Sequence, residues 1–177
     1  MRRFLDRLYA ASAALAAACL AGIAATMLAQ AGLREVGVLL VGADDIVGWL
    51  CAASAFFALA STFRHGEHVR VGLLIDRLPA RARRRAEVLA LGGAVLVVGA
   101  ILWSASRFVY ESWAFGEVAQ GLLRIPIWLP QMSLVLGALV FFIAVLDDFV
   151  VLLGGGVPAY RRAERAHQGG ADVQEAL

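Results

Sequence analysis

The chain has 177 residues, 61% of them hydrophobic and only 17% charged, with a mean hydropathy of +0.76 and a formal net charge of +2. Soluble domains carry roughly 25% charged residues, so these totals exclude an ordinary soluble domain and point to an integral membrane protein. All 16 basic residues are arginine, and their placement says more than their sum.

Four stretches carry no charged residue: 8–33, 46–63, 88–106 and 125–146. A helix needs roughly 20 apolar residues, at about 1.5 Å of rise each, to cross about 30 Å of hydrocarbon. Each stretch is long enough. The expected fold is all-α: one transmembrane domain over residues 1–157, with spans near 5–28, 44–63, 86–108 and 130–153.

Helix one follows the basic start MRRFLDR. A cleavable signal peptide also begins this way, but the apolar run is about twice the usual length of its hydrophobic core, so it reads as a retained span. Ala10, Ala14, Ala18 and Gly22 repeat every four residues and share one face. Such a face lets membrane helices approach closely; an Ala-rich helix also produces the spacing by chance, and both readings stand. Cys19 and Cys51 lie inside predicted spans and read as small buried hydrophobes. After a connection over 29–43, helix two opens on Asp44 and Asp45, where acids suit capping and the helix dipole.

The second connection, 64–85, contains GEHVRVGLLIDRLPARARRR and seven arginines: Arg64, Arg70, Arg77, Arg81, Arg83, Arg84 and Arg85. Interleaved with them are Val69, Val71, Leu73, Leu74 and Ile75. The pattern predicts a segment, 68–78, lying on the membrane surface. Leu73, Leu74 and Leu78 would point inward, and Arg70 and Arg77 toward anionic lipid headgroups or a subunit, each cation contributing about 1 kcal/mol near the surface. No nucleic acid is needed to explain the run. His68 reads as an interfacial anchor, since a single histidine without partners rarely holds a metal.

Pro79 permits the first turn of helix three, expected from about Ala80 to Trp113. The third connection, 114–126, holds Gly116 and Gly121. Pro126 and Pro130 bracket the start of helix four, and Trp128 between them reads as an interfacial anchor or, more sharply, as part of a docking surface. Gly154, Gly155 and Gly156 end that helix, and the polar tail 158–177 is expected to be disordered.

Orientation follows from counting arginines. The N-terminal segment, the second connection and the tail together hold 13; the other two connections and the helix ends beside them hold Arg34, Arg107 and Arg124. The heavy side is expected to be cytoplasmic, with both termini on it.

The chemistry of a self-sufficient membrane catalyst is missing. Haem would need histidines within the bundle, but His65, His68 and His167 lie outside the predicted spans. A proton relay needs ionisable groups deep in the spans, and a hydrolase needs a nucleophile beside a base. No cofactor, metal or catalytic residue is expected. Asp147 and Asp148 near the end of helix four oppose the helix dipole; they mark the interface or pair with an arginine of the basic loop or of another subunit.

The run G-E-H-V-R-V-G-L-L-I-D-R-L-P (66–79) with its arginine cluster resembles the loop after the second helix in the small membrane subunit of TRAP transporters, the DctQ-like family. I-P-I-W-L-P-Q-M-S-L-V-L-G (125–137) resembles that family's start of helix four, and Asp45 stands where an acid often opens helix two. Gly72 replaces the family's usual Asp, and helix one lacks its usual Arg-Tyr-x-Phe. The resemblance implies a multi-pass inner-membrane subunit of an ATP-independent organic-acid uptake system. A large membrane permease subunit carries the transport sites, and a periplasmic substrate-binding protein captures the cargo. The small subunit scaffolds the one and helps dock the other. The residues expected at interfaces or subunit contacts are Asp45, His68, Arg70, Asp76, Arg77, Trp128, Gln131, Asp147 and Asp148. The alternative is a self-sufficient four-helix membrane protein, either a small carrier or an intramembrane enzyme.

Overall fold

The computed structural model describes residues 2–64 and 79–156. They form four helices: α1 (Arg2–Glu35), α2 (Ala43–Arg64), α3 (Ala80–Ala114) and α4 (Trp128–Leu153). All four are long and apolar enough to cross a membrane. Among the described residues the only extended pairing is an isolated bridge between Val118 and Pro126. The protein is thus an all-α, four-span membrane protein. The expected surface segment 68–78 and the polar tail 158–177 lie outside the described residues.

Local chemistry sets the helix ends. α1 continues past Leu28 because nothing from Ala29 to Glu35 breaks it; it stops at Gly37, whose φ is +77°. The Val38 and Gly37 amides donate back to the Leu33 and Arg34 carbonyls at 2.9 and 3.1 Å. This Schellman closure needs a left-handed residue, for which glycine has no Cβ penalty. The same pair of bonds ends α3 at Gly116 and α4 at Gly155. α4 begins at Trp128, before Pro130. Pro130 therefore sits in the first turn, where its missing N–H would have had no intrahelical acceptor.

The helices form an open row. α1 packs on α2, α2 on α4, and α4 on α3, with α1 meeting α4 only marginally. Chain order and spatial order therefore differ, and α1 and α3 flank the row. Each leaves much of its surface uncovered, including Leu15, Leu20 and Leu28 on α1 and Leu89, Leu96, Val97 and Trp103 on α3.

Membrane helices associate by close packing and hydrogen bonds, because lipid is as apolar as leucine. The α1–α2 seam is antiparallel: Ser12 Oγ donates to the Phe57 carbonyl at 2.6 Å, Ala16 packs with Ala53 and Phe57, and Gly22 faces Leu50. The face that packs is thus Tyr9, Ser12 and Ala16, while Ala10, Ala14 and Ala18 remain exposed. Of the four small residues that share a face by spacing, only Gly22 contributes to this seam. Cys19 and Cys51 are both free; Cys19 is half-buried against the seam and Cys51 is exposed, not buried as its composition suggests.

The α2–α4 seam is parallel. Gly137 lies against Phe56, and Ala60 clusters with Ala144 and Tyr9. The α3–α4 seam is antiparallel and repeats every seven residues. Leu91 and Val98 pack with Leu152 and Val145, while Gly92 and Gly99 receive the rings of Phe149 and Phe142. Phe63 joins the seams, meeting Phe141 edge-on with ring centroids 5.7 Å apart.

Candidate functional site

The expected contact residues fall at opposite ends of the row. Asp45, Trp128 and Gln131 stand where α2 and α4 begin; Asp147 and Asp148 stand where α4 ends. Gln131 and Asp148 are 17 positions apart, or about 25 Å of helix rise, so no single site joins the two groups. His68, Arg70, Asp76 and Arg77 lie outside the described residues.

At the end where α2 and α4 start, the α3–α4 connection folds into a small hairpin. The Schellman turn at Gly116 reverses the chain, with the Glu117 amide donating to the Ser112 carbonyl at 3.0 Å. Such turns usually bury an apolar contact between these two positions. Here the contact is polar: Ser112, only 1% exposed, donates through Oγ to Glu117 Oε2 at 2.9 Å. The Ala119 and Ile127 amides then donate to the Ile125 and Glu117 carbonyls at 2.9 and 3.1 Å, closing the hairpin around the Val118–Pro126 bridge.

The hairpin reaches over to the head of α2. Asp45 Oδ2 accepts a hydrogen bond from the Leu123 amide at 3.2 Å, across 78 positions of sequence. Gly121 lies so close that a Cβ there would run into the Asp45 carboxylate. The Leu123 side chain covers Gly42, whose φ is +81°, and a Cβ on Gly42 would collide with it. Asp45 therefore does more than favour the helix dipole: its hydrogen bond goes to a distant backbone amide. Asp44, beside it, is exposed.

Trp128 is half-buried and lines a groove between α3 and α4 with Tyr110, Trp113 and Met132. Together with exposed Phe115, these rings cluster at one end of the bundle. Gln131 extends the seven-residue series Ala138, Val145, Leu152, and by that register it stands opposite Ser112. Its Oε1 is buried with no hydrogen-bond partner among the described residues. The seam therefore changes character along its length, from leucine and valine layers to a polar layer at the aromatic end.

At the other end, Asp147 and Asp148 separate by role. Asp148 is 2% exposed and sits in the buried stripe of α4 that includes Ala144, Val145 and Leu152; Asp147 is half-buried. Near the start of α3, Glu87 is also buried and pairs with Arg83 at 3.5 Å, while Arg84 and Arg85 are exposed.

The spans offer little reactive chemistry. Thr26, Ser54, Thr62 and Ser106 donate to carbonyls three or four residues earlier in their own helices. Among the described residues no group of three potential ligands could hold a metal ion. Reading the sequence alone missed Ser112, Glu117 and Leu123. Their spacing around Gly116 and Gly121 was visible, but their partner on α2 was not.

The comparisons agree with this architecture. Residues 23–155 match the profile of the tripartite ATP-independent periplasmic transporters, DctQ component. The chain is also similar to the C4-dicarboxylate TRAP transporter small permease protein DctQ of Rhodobacter capsulatus, with 31% identity over 102 residues. That alignment covers 58% of this chain and 44% of the relative, so the match spans less than half of the curated protein's length. A match over most of a four-span chain places it in the inner membrane as a multi-pass protein, and it belongs to the DctQ family of tripartite ATP-independent periplasmic transporter components.

Proposed function

We propose that this chain is the small, non-catalytic subunit of a tripartite uptake system. It braces a large membrane permease subunit and helps a periplasmic binding protein dock. The observation that carries this reading is the open row of helices. A coupled carrier stabilises a desolvated ion and its substrate near the midplane, usually with broken helices. Here α1 to α4 are continuous, their described hydroxyls mostly serve their own backbones, and the flanking helices leave wide apolar faces for lipid or a partner. Such a layer enlarges a partner's footprint without adding a transport path. Organic acids are the proposed cargo class; the similarity to a C4-dicarboxylate small permease makes dicarboxylates the first to try.

The proposed orientation puts both termini and the arginine-rich connection in the cytoplasm, and the hairpin end outside. Arg81 and Arg83 lie in the first turn of α3, with Arg84 and Arg85 just after it; the helix dipole disfavours a cation in that first turn by about 0.3–1 kcal/mol. Anionic lipid at the cytoplasmic leaflet offsets that cost. A single cysteine at position 83, in a background lacking Cys19 and Cys51, should resist an impermeant thiol reagent in intact cells, whereas one at position 122 should react. Strong labelling at 83 would reverse the topology.

Function is tested in liposomes under a sodium gradient with candidate dicarboxylates, sugar acids and keto acids. The chain alone should take up nothing, and uptake should appear when the large subunit and binding protein are added. Sodium-dependent uptake by this chain alone would establish the self-sufficient carrier instead. Full activity of the other two without it would remove the bracing role.

A further inference from the structure

We infer that Asp45 is a positioning residue that clasps the α3–α4 hairpin to the head of α2 and so locks the two sides of the helix row together. The packing order makes such a tie useful. Among the described residues α2 and α3 are linked mainly through α4, which packs against both. A rotation of α3 about α4 would meet little resistance from direct α2–α3 packing. The hairpin adds a direct tie, because its tip is bonded to α2.

Three independent features converge on the tip. The Asp45 carboxylate accepts the Leu123 amide at 3.2 Å. Gly121 has no side chain where one would strike that carboxylate, and Gly42 has none where one would strike Leu123. The base of the hairpin is fixed separately, by the Gly116 turn, the Ser112–Glu117 hydrogen bond and the Val118–Pro126 bridge. A rigid hairpin with one anchored tip transmits position; a hairpin free at its tip would not. Asp44 provides the internal contrast. It shares the first turn of α2 and the same interaction with the helix dipole, yet it is exposed. A dipole effect would affect both acids equally, whereas a clasp belongs to Asp45 alone.

The inference deepens the bracing role proposed above, since a brace must move as one body. The test uses the full chain, purified alone and in complex with the large subunit. Amide exchange across 119–125 is followed by mass spectrometry in Asp45→Ala, Asp45→Asn, Gly121→Ala and Asp44→Ala. Asp45→Ala and Gly121→Ala should speed exchange there by about tenfold or more, tenfold corresponding to about 1.4 kcal/mol. Asp45→Asn, which keeps an acceptor oxygen, should lie nearer wild type, and Asp44→Ala should match it. Exchange in the middle of α1 should not change in any variant, which guards against general unfolding. Unchanged exchange in both Asp45→Ala and Gly121→Ala would overturn the clasp, as would an equal effect of Asp44→Ala. Reconstituted uptake separates the clasp from the reading on which it rests. Faster exchange with uptake reduced several-fold supports both. Faster exchange with full uptake supports the clasp and counts against bracing.

Discussion

Gly137→Leu is expected to prevent the row of helices from assembling. A Cβ at Gly137 would lie 2.6 Å from Phe56 Cβ and 2.7 and 2.8 Å from the Phe56 carbonyl carbon and oxygen. Two of those atoms are backbone, so relief requires α2 and α4 to separate. Overfilling a packed core costs about 1–3 kcal/mol for a few methylenes, and a leucine here adds its whole side chain. The seam cannot yield locally, because Ala138, Ala60 and Ala144 are buried around it. Even Gly137→Ala should destabilise, although alanine is favoured over glycine in a helix by about 1 kcal/mol. Gly93 is the control: it lies within α3 with nothing within 4 Å of where a Cβ would stand. Gly93→Ala should be neutral or slightly stabilising. Thermal unfolding in detergent, with recovery of the complex, measures both. Equal midpoints for Gly137→Leu and Gly93→Leu would refute the close approach.

The spans were legible because hydrocarbon imposes a length and excludes charge. Which face of each helix packs was not. In a soluble bundle, polar residues mark the outward face; in a membrane both faces are apolar, and the contrast disappears. Helix α1 shows the consequence: spacing grouped Ala10, Ala14, Ala18 and Gly22, whereas the structure buries Tyr9, Ser12 and Ala16. Polar residues were easier to find than to interpret. Asp45 was visible at the head of a helix, but its bond to Leu123 spans 78 positions. Asp147 and Asp148 are adjacent, and only the helix register sends Asp148 into the buried stripe.

The two ends of the row have different chemistry. The starts of α1 and α3 carry arginines, and the neighbouring core holds Asp148 and Glu87. The opposite end carries aromatic rings, the hairpin and the Asp45 clasp. In the orientation proposed above, the charged end would meet an anionic leaflet, and the hydrogen-bonded backbone hairpin would face water. On that reading the row would anchor electrostatically at one end and present a fixed shape at the other, with the seams between holding the two in register.

The α3–α4 seam gives the sharpest test of that register. Gly99 faces the ring of Phe142, whose nearest atom would lie 3.3 Å from a Cβ at that position, and Gly92 faces Phe149 in the same way one heptad away. Gly99→Phe should destabilise by overfilling this space. Phe142→Gly should destabilise by emptying it and by placing glycine in a helix interior. Phenylalanine truncations in soluble cores cost about 3–5 kcal/mol, and acyl chains that fill part of the gap should bring this toward the lower value. Combining the two exchanges large and small across the same point, so the double variant should recover much of the loss. The coupling should fall within about 0.5–3 kcal/mol, the range for side chains in contact. Phe141 provides the discriminating partner, because it meets Phe63 rather than Gly99. Gly99→Phe combined with Phe141→Gly should show no rescue, since the added ring would still meet Phe142. Unfolding midpoints of the five variants decide the matter. Additive losses in the Gly99–Phe142 exchange, or equal rescue through Phe141, would mean that α3 and α4 pack in another register.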